Sequence, residues 1–448
     1  MEEEDKRGCI AYGRNTAEGN YVPDESGLAG FPVEDRLPRS LGMPLSSLHG
    51  PGVERELQLG KPEHEQQGER QQRGSVGQEL HRNMDTVSFE ELAEAYLDCR
   101  RRKSTTLGAE LFEMDLAMNI ARLCDEINSR SYKTSPSTCF LVYEPKLREV
   151  FASPFRDRVV HHFIRRELEP CLEKELIYDT ASCRLGKGTL FAVKRAQRFM
   201  RQAQENENKK AYYLRLDISG YFMSIDRDML WYKIDRLISK RYKGTHEELL
   251  RYLLRIVIYD DPTKDCIFNT PFGEWASLPK RKSLFYSDGK GLPIGNLTSQ
   301  MFGNLYLSEI DHAIKARERF YSRYVDDMAV INIDKSHLLE TRDIVEEKLS
   351  GIGLKLNKGK THIGLCDYGM DYVGKLIKPY SITIPCDSAK RMAQKMSTAR
   401  SLASVNSILG CAKGFMSQRR ASKLIEAMPD AYTLDGNRMV AKETITWN

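Results

Sequence analysis

Two adjacent aspartates interrupt an apolar stretch, and this feature constrains the fold more than any other. The segment YSRYVDDMAVI (321–331) predicts two short strands with Asp326 and Asp327 at the bend between them. Neighbouring carboxylates repel each other, so a pair in a largely apolar hairpin calls for a cation that offsets their charge. A solvated turn is the alternative interpretation, because Asp is a favoured turn residue.

A third carboxylate lies on a predicted strand earlier in the chain. In YYLRLDIS (212–219), Leu214, Leu216 and Ile218 alternate with a second set that ends in Asp217, as in a half-buried strand. Mg²⁺ is the cation that such carboxylates favour, because it is hard and is usually held by one or two carboxylates plus substrate phosphates. Two such ions activate an attacking hydroxyl and stabilise a leaving phosphate oxygen.

Composition indicates a soluble protein with two or three structural units. The 448 residues are 41% hydrophobic and 29% charged, and no apolar run is long enough for a membrane span. The N-terminal sequence MEEEDKRG lacks the order of a signal peptide, and the ten cysteines include no C-x-x-C pair. We therefore predict a cytoplasmic protein with no membrane partner.

Charge is distributed unevenly along the chain. Residues 1–83 carry 10 basic and 15 acidic side chains, whereas residues 84–448 carry 58 basic and 48 acidic ones. The basic surplus suggests a polyanionic partner. The acidic first segment has little apolar surface to bury, so we expect residues 1–84 to be a disordered or non-native extension.

Local patterns predict several elements after this extension. The capping box SFEE (88–91) starts a helix. A second helix is expected to run through Phe112, Leu116 and Ile127 on one face. CFLVYEPKLREVFAS (139–153) predicts two strands around a turn, and DRVVHHFIRRELEPCLEKEL (157–176) predicts a helix. Strand signals vanish beyond residue 385, where residues 385–425 form a basic helical module.

Five motifs in order resemble those of reverse transcriptases. YVDD (324–327) is similar to their Tyr-x-Asp-Asp box, RLDISGYFMSID (215–226) to their first palm motif and LPIGNLTSQ (292–300) to their second. GLKLNKGKT (353–361) resembles the Lys-bearing motif after the box, and DYVGKLI (371–377) resembles the hairpin that grips the primer. The resemblance covers about residues 132–415.

The resemblance implies an α+β, right-hand polymerase fold, with fingers, a palm whose antiparallel sheet bears the catalytic aspartates, and a helical thumb. The implied units are N-terminal helices and fingers at 85–211, a palm at 212–378 with a fingers segment inserted at about 228–290, and a helical basic thumb at 379–448. The thumb cations would grip duplex backbone.

The resemblance also assigns site residues. Asp217, Asp326 and Asp327 are the expected catalytic residues, and together with the carbonyl of Ile218 they would hold two Mg²⁺, with Mn²⁺ as a substitute. The expected nucleotide-binding residues are Lys146, Arg148, Arg184, Phe222, Ile294, Gly295 and Lys360. The expected primer and template contacts are Tyr324, Ser299, Gln300 and Gly374.

Some of these assignments have plainer alternatives. Phe222 matches the bulky residue that blocks a ribose 2′-hydroxyl, and its alternative is a core aromatic. Lys146 and Arg148 match fingers residues that contact the triphosphate, and their alternative is a solvated basic turn. Lys360 matches a residue that protonates pyrophosphate, and its alternative is a surface lysine.

The residues at the second palm motif indicate which type of reverse transcriptase the chain most resembles. Most members have Gln before the motif's glycine and Ser-Pro after it, whereas this chain has Ile294 and Ser299-Gln300. This variation most resembles the enzymes of diversity-generating retroelements, which copy a template RNA with frequent errors at adenines. It implies template RNA, cDNA or primer, deoxynucleoside triphosphates and a small basic accessory protein as partners. The alternatives are a phage-defence or group II intron type of reverse transcriptase, and an RNA-binding scaffold without activity.

Overall fold

The computed structural model describes residues 85–101, 106–143, 146–207 and 210–398, residues 405 and 408, and residues 432–435 and 438–441. The helices in chain order are α1 Phe89–Arg100, α2 Leu107–Glu113, α3 Leu116–Asn128, α4 Phe155–Glu175, α5 Thr189–Glu207, α6 Tyr221–Ser224, α7 Arg227–Arg241, α8 Glu247–Tyr259, α9 Leu297–Tyr306, α10 Ser308–Arg317, α11 Lys335–Gly351 and α12 Cys386–Ser397. The strands are β1 Ser137–Val142, β2 Arg148–Ala152, β3 Tyr212–Leu216, β4 Cys266–Phe268, β5 Phe320–Tyr324, β6 Asp327–Asn332, β7 His362–Leu365, β8 Met370–Tyr372, β9 Lys375–Lys378, β10 Ser381–Thr383, β11 Tyr432–Asp435 and β12 Arg438–Ala441.

The first helix begins at the predicted capping box. The Ser88 hydroxyl accepts from the Glu91 N–H, and the Glu91 carboxylate accepts from the Ser88 N–H. The second predicted helix is wrong as a single element, because α2 and α3 are separated at Met114 and Asp115. Asp115 has φ −131° and ψ 44°, outside the helical region. The Asn119 side chain donates to the Phe112 carbonyl at 2.9 Å and ties the two helices together.

A small sheet precedes the longest helix. Strands β1 and β2 pair antiparallel, as the sequence predicts, and β4 joins β1 in parallel. Helix α4 follows directly, with Pro154 at its N-cap. Its apolar side chains enter the main core, which also takes residues from α1, α3, α7, α8, α9 and strand β3. Cys139 of β1 and Phe151 of β2 are buried in a separate small cluster with Met223 and Leu284.

A four-stranded antiparallel sheet carries the acidic residues. Its strand order is β5-β6-β3-β7, so β3 lies between β6 and β7. Leu216 at the end of β3 pairs with Met328 on β6, and Tyr324 pairs with Asp327 across the β5–β6 hairpin. Asp217 directly follows Leu216, and the register therefore brings the end of β3 beside the hairpin turn.

The predicted α+β class with an antiparallel acidic sheet is confirmed. Helix α12 lies in the module predicted to be helical, but β10 and the β11–β12 hairpin also lie in 379–448, where only helix was expected. The expected extension 1–84 and most of residues 399–431 lie outside the described residues. The predicted boundaries between fingers, palm and thumb stay predictions. Among the described helices, none has the length and apolarity needed to cross a membrane.

Candidate active site

Of the two adjacent aspartates, Asp326 lies in a tight two-residue turn and Asp327 begins the strand that follows it. Because Tyr324 pairs with Asp327, the turn residues are Val325 and Asp326. Val325 has φ +56°, a left-handed conformation that is costly for a β-branched residue. Its N–H donates to the Ser182 hydroxyl at 3.1 Å, and its carbonyl accepts from Arg323 at 2.7 Å. These contacts hold the turn and thereby fix the position of Asp326.

Asp217 lies at the end of β3 and is held by the segment after α11. Its backbone carbonyl accepts from the Asn357 N–H at 2.7 Å. Its carboxylate accepts from the Asn357 amide at 3.0 Å and from Lys360 Nζ at 2.8 and 2.7 Å. The structure therefore brings the predicted Lys360 into the site, where its ammonium neutralises Asp217. The backbone of Ile218 continues past Asp217 and bridges to Leu356.

Asp327 begins β6 and faces an arginine on the neighbouring strand. Arg215 donates to its Oδ1 from two nitrogens, at 3.1 and 3.3 Å. Burial raises the pKa of Asp327, although the charge of Arg215 acts in the opposite direction. The charge of Lys146 also lowers the pKa of this carboxylate, as the last and smallest of these effects. Lys146 itself is exposed at the turn before β2.

Asp326 differs from its two neighbours because, within the described residues, no cationic side chain forms an ion pair with it. Burial, followed by the charges of Asp217 and Asp327, raises its pKa to about 6. A carboxylate with this environment gains from a divalent cation placed between it and its neighbours. The donor set consists of hard oxygen atoms and fits Mg²⁺ or a similar ion.

The three aspartates do not form a closed metal cage. Among the described residues, no group of three or more His, Cys, Asp or Glu side chains is arranged to enclose an ion. Lys360 covers the carboxylate of Asp217 and Arg215 engages Asp327. This arrangement fits an ion that completes its coordination with substrate phosphates and water, as Mg²⁺ does in phosphoryl-transfer sites.

Behind the turn lies a buried polar network that the sequence did not reveal. Arg323 and Asp311 are both fully buried, and their bidentate ion pair has distances of 2.7 and 2.6 Å. Arg323 also donates to the backbone carbonyl of Asn304 at 3.1 Å. The Asn304 amide in turn donates to the Ser182 carbonyl at 2.8 Å. The network joins α9, α10 and β5 to the turn at Val325.

The second predicted palm motif lies against the fingers hairpin. The Phe151 N–H donates to the Ile294 carbonyl at 2.8 Å. Gly295 has φ +127°, and a Cβ there would lie 2.4 Å from the Phe151 carbonyl, so this contact requires glycine. The Ile294 side chain is half-buried against an apolar cluster that includes Phe151 and Met223. Phe222 is half-buried beside the same cluster.

The expected primer and template residues are spread over three elements. Ser299 is buried in the first turn of α9, and the Gln300 amide oxygen accepts from the Cys183 thiol at 2.6 Å. Tyr324 is half-buried at the end of β5. Gly374, with φ +71°, lies in the turn between β8 and β9. Their roles in binding nucleic acid stay predictions.

Arg184 makes contacts that point to a structural role. Its side chain is 6% exposed and donates to Glu173 at 2.7 and 2.8 Å and to the carbonyls of Ile177 and Thr180 at 2.7 and 2.9 Å. Because these partners engage its guanidinium, Arg184 orders the loop before α5. Its expected contact with nucleotide stays a prediction, and a nucleotide would have to compete with these partners.

The fold and the site together define a nucleic-acid polymerase palm, with one aspartate directly after the central strand β3, one in the neighbouring hairpin turn and one at the start of β6. A family model described as reverse transcriptase (RNA-dependent DNA polymerase) matches residues 144–377, more than half of the chain. The chain belongs to this reverse transcriptase family.

Solved telomerase structures are similar to the chain at low identity. A telomerase from Candida albicans in complex with a TWJ fragment of telomeric RNA is 11% identical with a TM-score of 0.39, over 71% of this chain and 59% of that one. Apo telomerase from Candida tropicalis is 11% identical with a TM-score of 0.42, over 62% and 52%. A form truncated from the C-terminal domain is 14% identical with a TM-score of 0.40, over 58% and 59%. The match thus spans less than two thirds of each telomerase chain.

Proposed function

We propose that this chain is an RNA-directed DNA polymerase that copies a template RNA into cDNA. The observation that carries the proposal is the meeting of Asp217 with Asp326 and Asp327 at one edge of the palm sheet. Burial, followed by the charges of Asp217 and Asp327, raises the pKa of Asp326, which places the three carboxylates close enough to repel one another. Such a site suits the transfer of a nucleotidyl group, in which charge develops on phosphate oxygens.

Asp217, Asp326, Asp327 and the Ile218 carbonyl would hold two Mg²⁺, with Mn²⁺ as a substitute. When bound, these ions would activate the primer 3′-hydroxyl and stabilise the oxygen of the leaving pyrophosphate. Lys360 Nζ lies 2.7 Å from Asp217 Oδ2 and would supply a proton to the leaving group.

Side chains around the aspartates would position the substrates. Lys146 and Arg148 would bind the triphosphate, because Arg offers paired donors that match phosphate oxygens. Phe222 would exclude a ribose 2′-hydroxyl, as expected for a DNA-synthesising enzyme. Tyr324 and the β8–β9 turn at Gly374 would contact the primer and template. Ser299 and Gln300 would also contact the primer and template.

We further propose that the enzyme belongs to the diversity-generating type and makes errors at template adenines, with a small basic protein as accessory partner. Ile294 supports this proposal, because its side chain packs on the apolar cluster beside Phe222 and offers no hydrogen bond to a base pair. A Gln at this position would offer such a bond. With Ile294 in place this bond is absent, so the free-energy difference between a correct pair and a mispair would be smaller.

Primer extension on an RNA template tests the polymerase. Wild-type protein is expected to extend a DNA primer with Mg²⁺, while Asp326→Ala and Asp327→Ala should each lose nearly all synthesis, because removing a ligand costs several kcal/mol of charge stabilisation. Asp343→Ala, which removes an exposed carboxylate on α11, is the matched control and should remain active. RNA binding without any extension by the wild-type protein would instead favour the scaffold alternative.

Sequencing the cDNA tests the type of enzyme. The adenine-specific mechanism predicts that substitutions concentrate opposite template adenines. A uniform error spectrum across the four template bases would refute the diversity-generating assignment while leaving the polymerase activity in place.

A further inference from the structure

A short basic segment in the loop before α9 packs between the palm and the fingers. The 3-10 turn Lys280–Lys282 lies beside the palm turn that follows Asp217, and the Arg281 carbonyl lies 3.1 Å from the position that a Cβ on Gly220 would take. Gly220 itself has φ +56°. The segment is therefore close to the catalytic strand, in a place where a larger palm residue would push it away.

Glu149 anchors this segment to the fingers. Its carboxylate is fully buried on β2 and accepts from the Ser283 hydroxyl at 2.7 Å and from the Leu284 N–H at 2.6 Å. Burial raises the pKa of Glu149, against the effect of these two hydrogen bonds. Since Glu149 directly follows Arg148, the anchor sets the basic segment beside the fingers cation that the family resemblance assigned to the triphosphate.

The segment completes a cluster of like charges. Burial lowers the pKa of Lys282, and the charges of Arg281, Lys146, Lys360 and Arg148 lower it further. Of these five cations, only Lys360 has a carboxylate within 4.0 Å among the described residues. Unpaired cations held together repel one another, and a polyanion bound between them would relieve this cost.

A polar cavity of about 240 Å³ adjoins the same segment. Its lining carries three cations and four hydroxyl groups, from Lys280, Arg281, Lys290, Ser224, Ser283, Tyr286 and Ser287. Lys290 also pairs with Asp226 at 3.5 Å. Ammonium, guanidinium and hydroxyl groups are hydrogen-bond donors for phosphate oxygens. The hydroxyls of Ser283 and Ser287 already donate to Glu149 and to backbone carbonyls, so the donors for a phosphate come from the cations and from Ser224 and Tyr286. The cavity therefore offers room for phosphate groups beside the cation cluster.

We propose that Lys280–Lys282 is a second phosphate-binding element, which binds the triphosphate of the incoming nucleotide and the pyrophosphate product opposite Lys146 and Arg148. This inference rests on the proposed polymerase function for the identity of the substrate. A triphosphate fits better than nucleic-acid backbone, because the cluster includes Lys360, which touches Asp217 at the catalytic centre. The densest negative charge of a nucleotide would lie there.

The test compares two variants that each remove two positive charges. Arg281→Gln/Lys282→Gln alters the segment, and Lys335→Gln/Lys348→Gln removes two exposed lysines from α11 as the matched control. The measurements are KM for deoxynucleotide, kcat, inhibition by pyrophosphate and the Kd for an RNA–DNA primer–template. Calorimetric titration with pyrophosphate and Mg²⁺ measures binding without catalysis. Arg281 is exposed, so the single Arg281→Gln variant serves if the double variant loses its thermal transition.

The segment variant is expected to raise KM and the pyrophosphate inhibition constant about tenfold, equivalent to about 1.4 kcal/mol, with the primer–template Kd unchanged. The control variant should match wild type. Unchanged nucleotide and pyrophosphate affinities would overturn the proposal, as would a loss confined to primer–template binding. If wild type lacks polymerase activity but binds pyrophosphate through Arg281 and Lys282, the proposed function fails while the phosphate site stands.

Discussion

Replacing Asp326 with Asn is expected to stabilise the protein when divalent cations are removed. The folded chain raises the pKa of Asp326 to about 6, whereas an aspartate in an unfolded chain titrates near about 3.9. Between these two pH values the unfolded chain loses its proton first, so the folded chain binds more protons. Stability therefore falls as pH rises through this window, and the penalty is fully present above about pH 6.

The pKa shift of Asp326 sets an upper limit for the stability that the folded protein loses when this carboxyl ionises. Two pKa units correspond to about 3 kcal/mol. Because Asp326 is half-buried, solvent screening reduces the expected penalty to about 1–2 kcal/mol at pH 8. For a chain of this size the gain on removing the charge amounts to a few degrees in Tm, on the order of 2–4 °C per kcal/mol.

Thermal unfolding in EDTA between pH 4 and pH 8 measures the effect. The Tm difference between Asp326→Asn and wild type should be near zero at pH 4, grow through pH 4–6 and then level off. Adding Mg²⁺ should raise the Tm of wild type more than that of the variant, since only wild type has the complete ligand set. Asp343→Asn, an exposed site on α11, is the control. The reasoning would be refuted if the Tm of wild type and that of Asp326→Asn changed in parallel with pH. It would also be refuted if Asp326→Asn were less stable than wild type at pH 8 in EDTA.

Two further substitutions test the network behind the turn and the second palm motif. Arg323→Lys keeps the charge but loses the planar donors that reach Asp311, Asn304 and Val325 together. Because buried acceptors are left without a donor, the variant should lose about 1–3 kcal/mol of stability and most of the polymerase activity. Denaturant unfolding and primer extension measure these losses, and a fully active, equally stable variant would contradict the prediction. Ile294→Gln should lower misincorporation opposite template adenines up to about tenfold, equivalent to about 1.4 kcal/mol, with synthesis retained. An unchanged adenine error rate in the active Ile294→Gln protein would leave only apolar packing as the role of Ile294.

Features set by neighbouring residues could be predicted from the sequence. The capping box at Ser88, the alternation that ends at Asp217 and the acidic turn at Asp326 each depend on a few consecutive residues. The helix break at Asp115 was missed because the apolar spacing continues across it. The side-chain contact that supports the break, from Asn119 to Phe112, has no signature in the spacing of apolar residues.

Contacts between distant residues could not be predicted in the same way. Lys360 and Asp217 are 143 positions apart, and their pairing depends on how the segment after α11 returns to β3. Arg323 is a charged residue in a short buried strand and therefore needed a partner, but nothing in the pattern identified Asp311 on α10. The anchoring of the basic segment by Glu149 likewise depends on a fold in which the loop before α9 meets β2.

The ion pair between Lys360 and Asp217 makes the acidic centre carry its own counter-ion. A cation tethered to the same chain stays at high effective concentration whatever the solution contains, so the three aspartates are never left with their full charge. If Asp217 binds a dissolved cation as proposed, that binding would exchange one positive charge for another rather than add one. The displaced ammonium of Lys360 would remain nearby, where it could pair with the anion that arrives with the substrate.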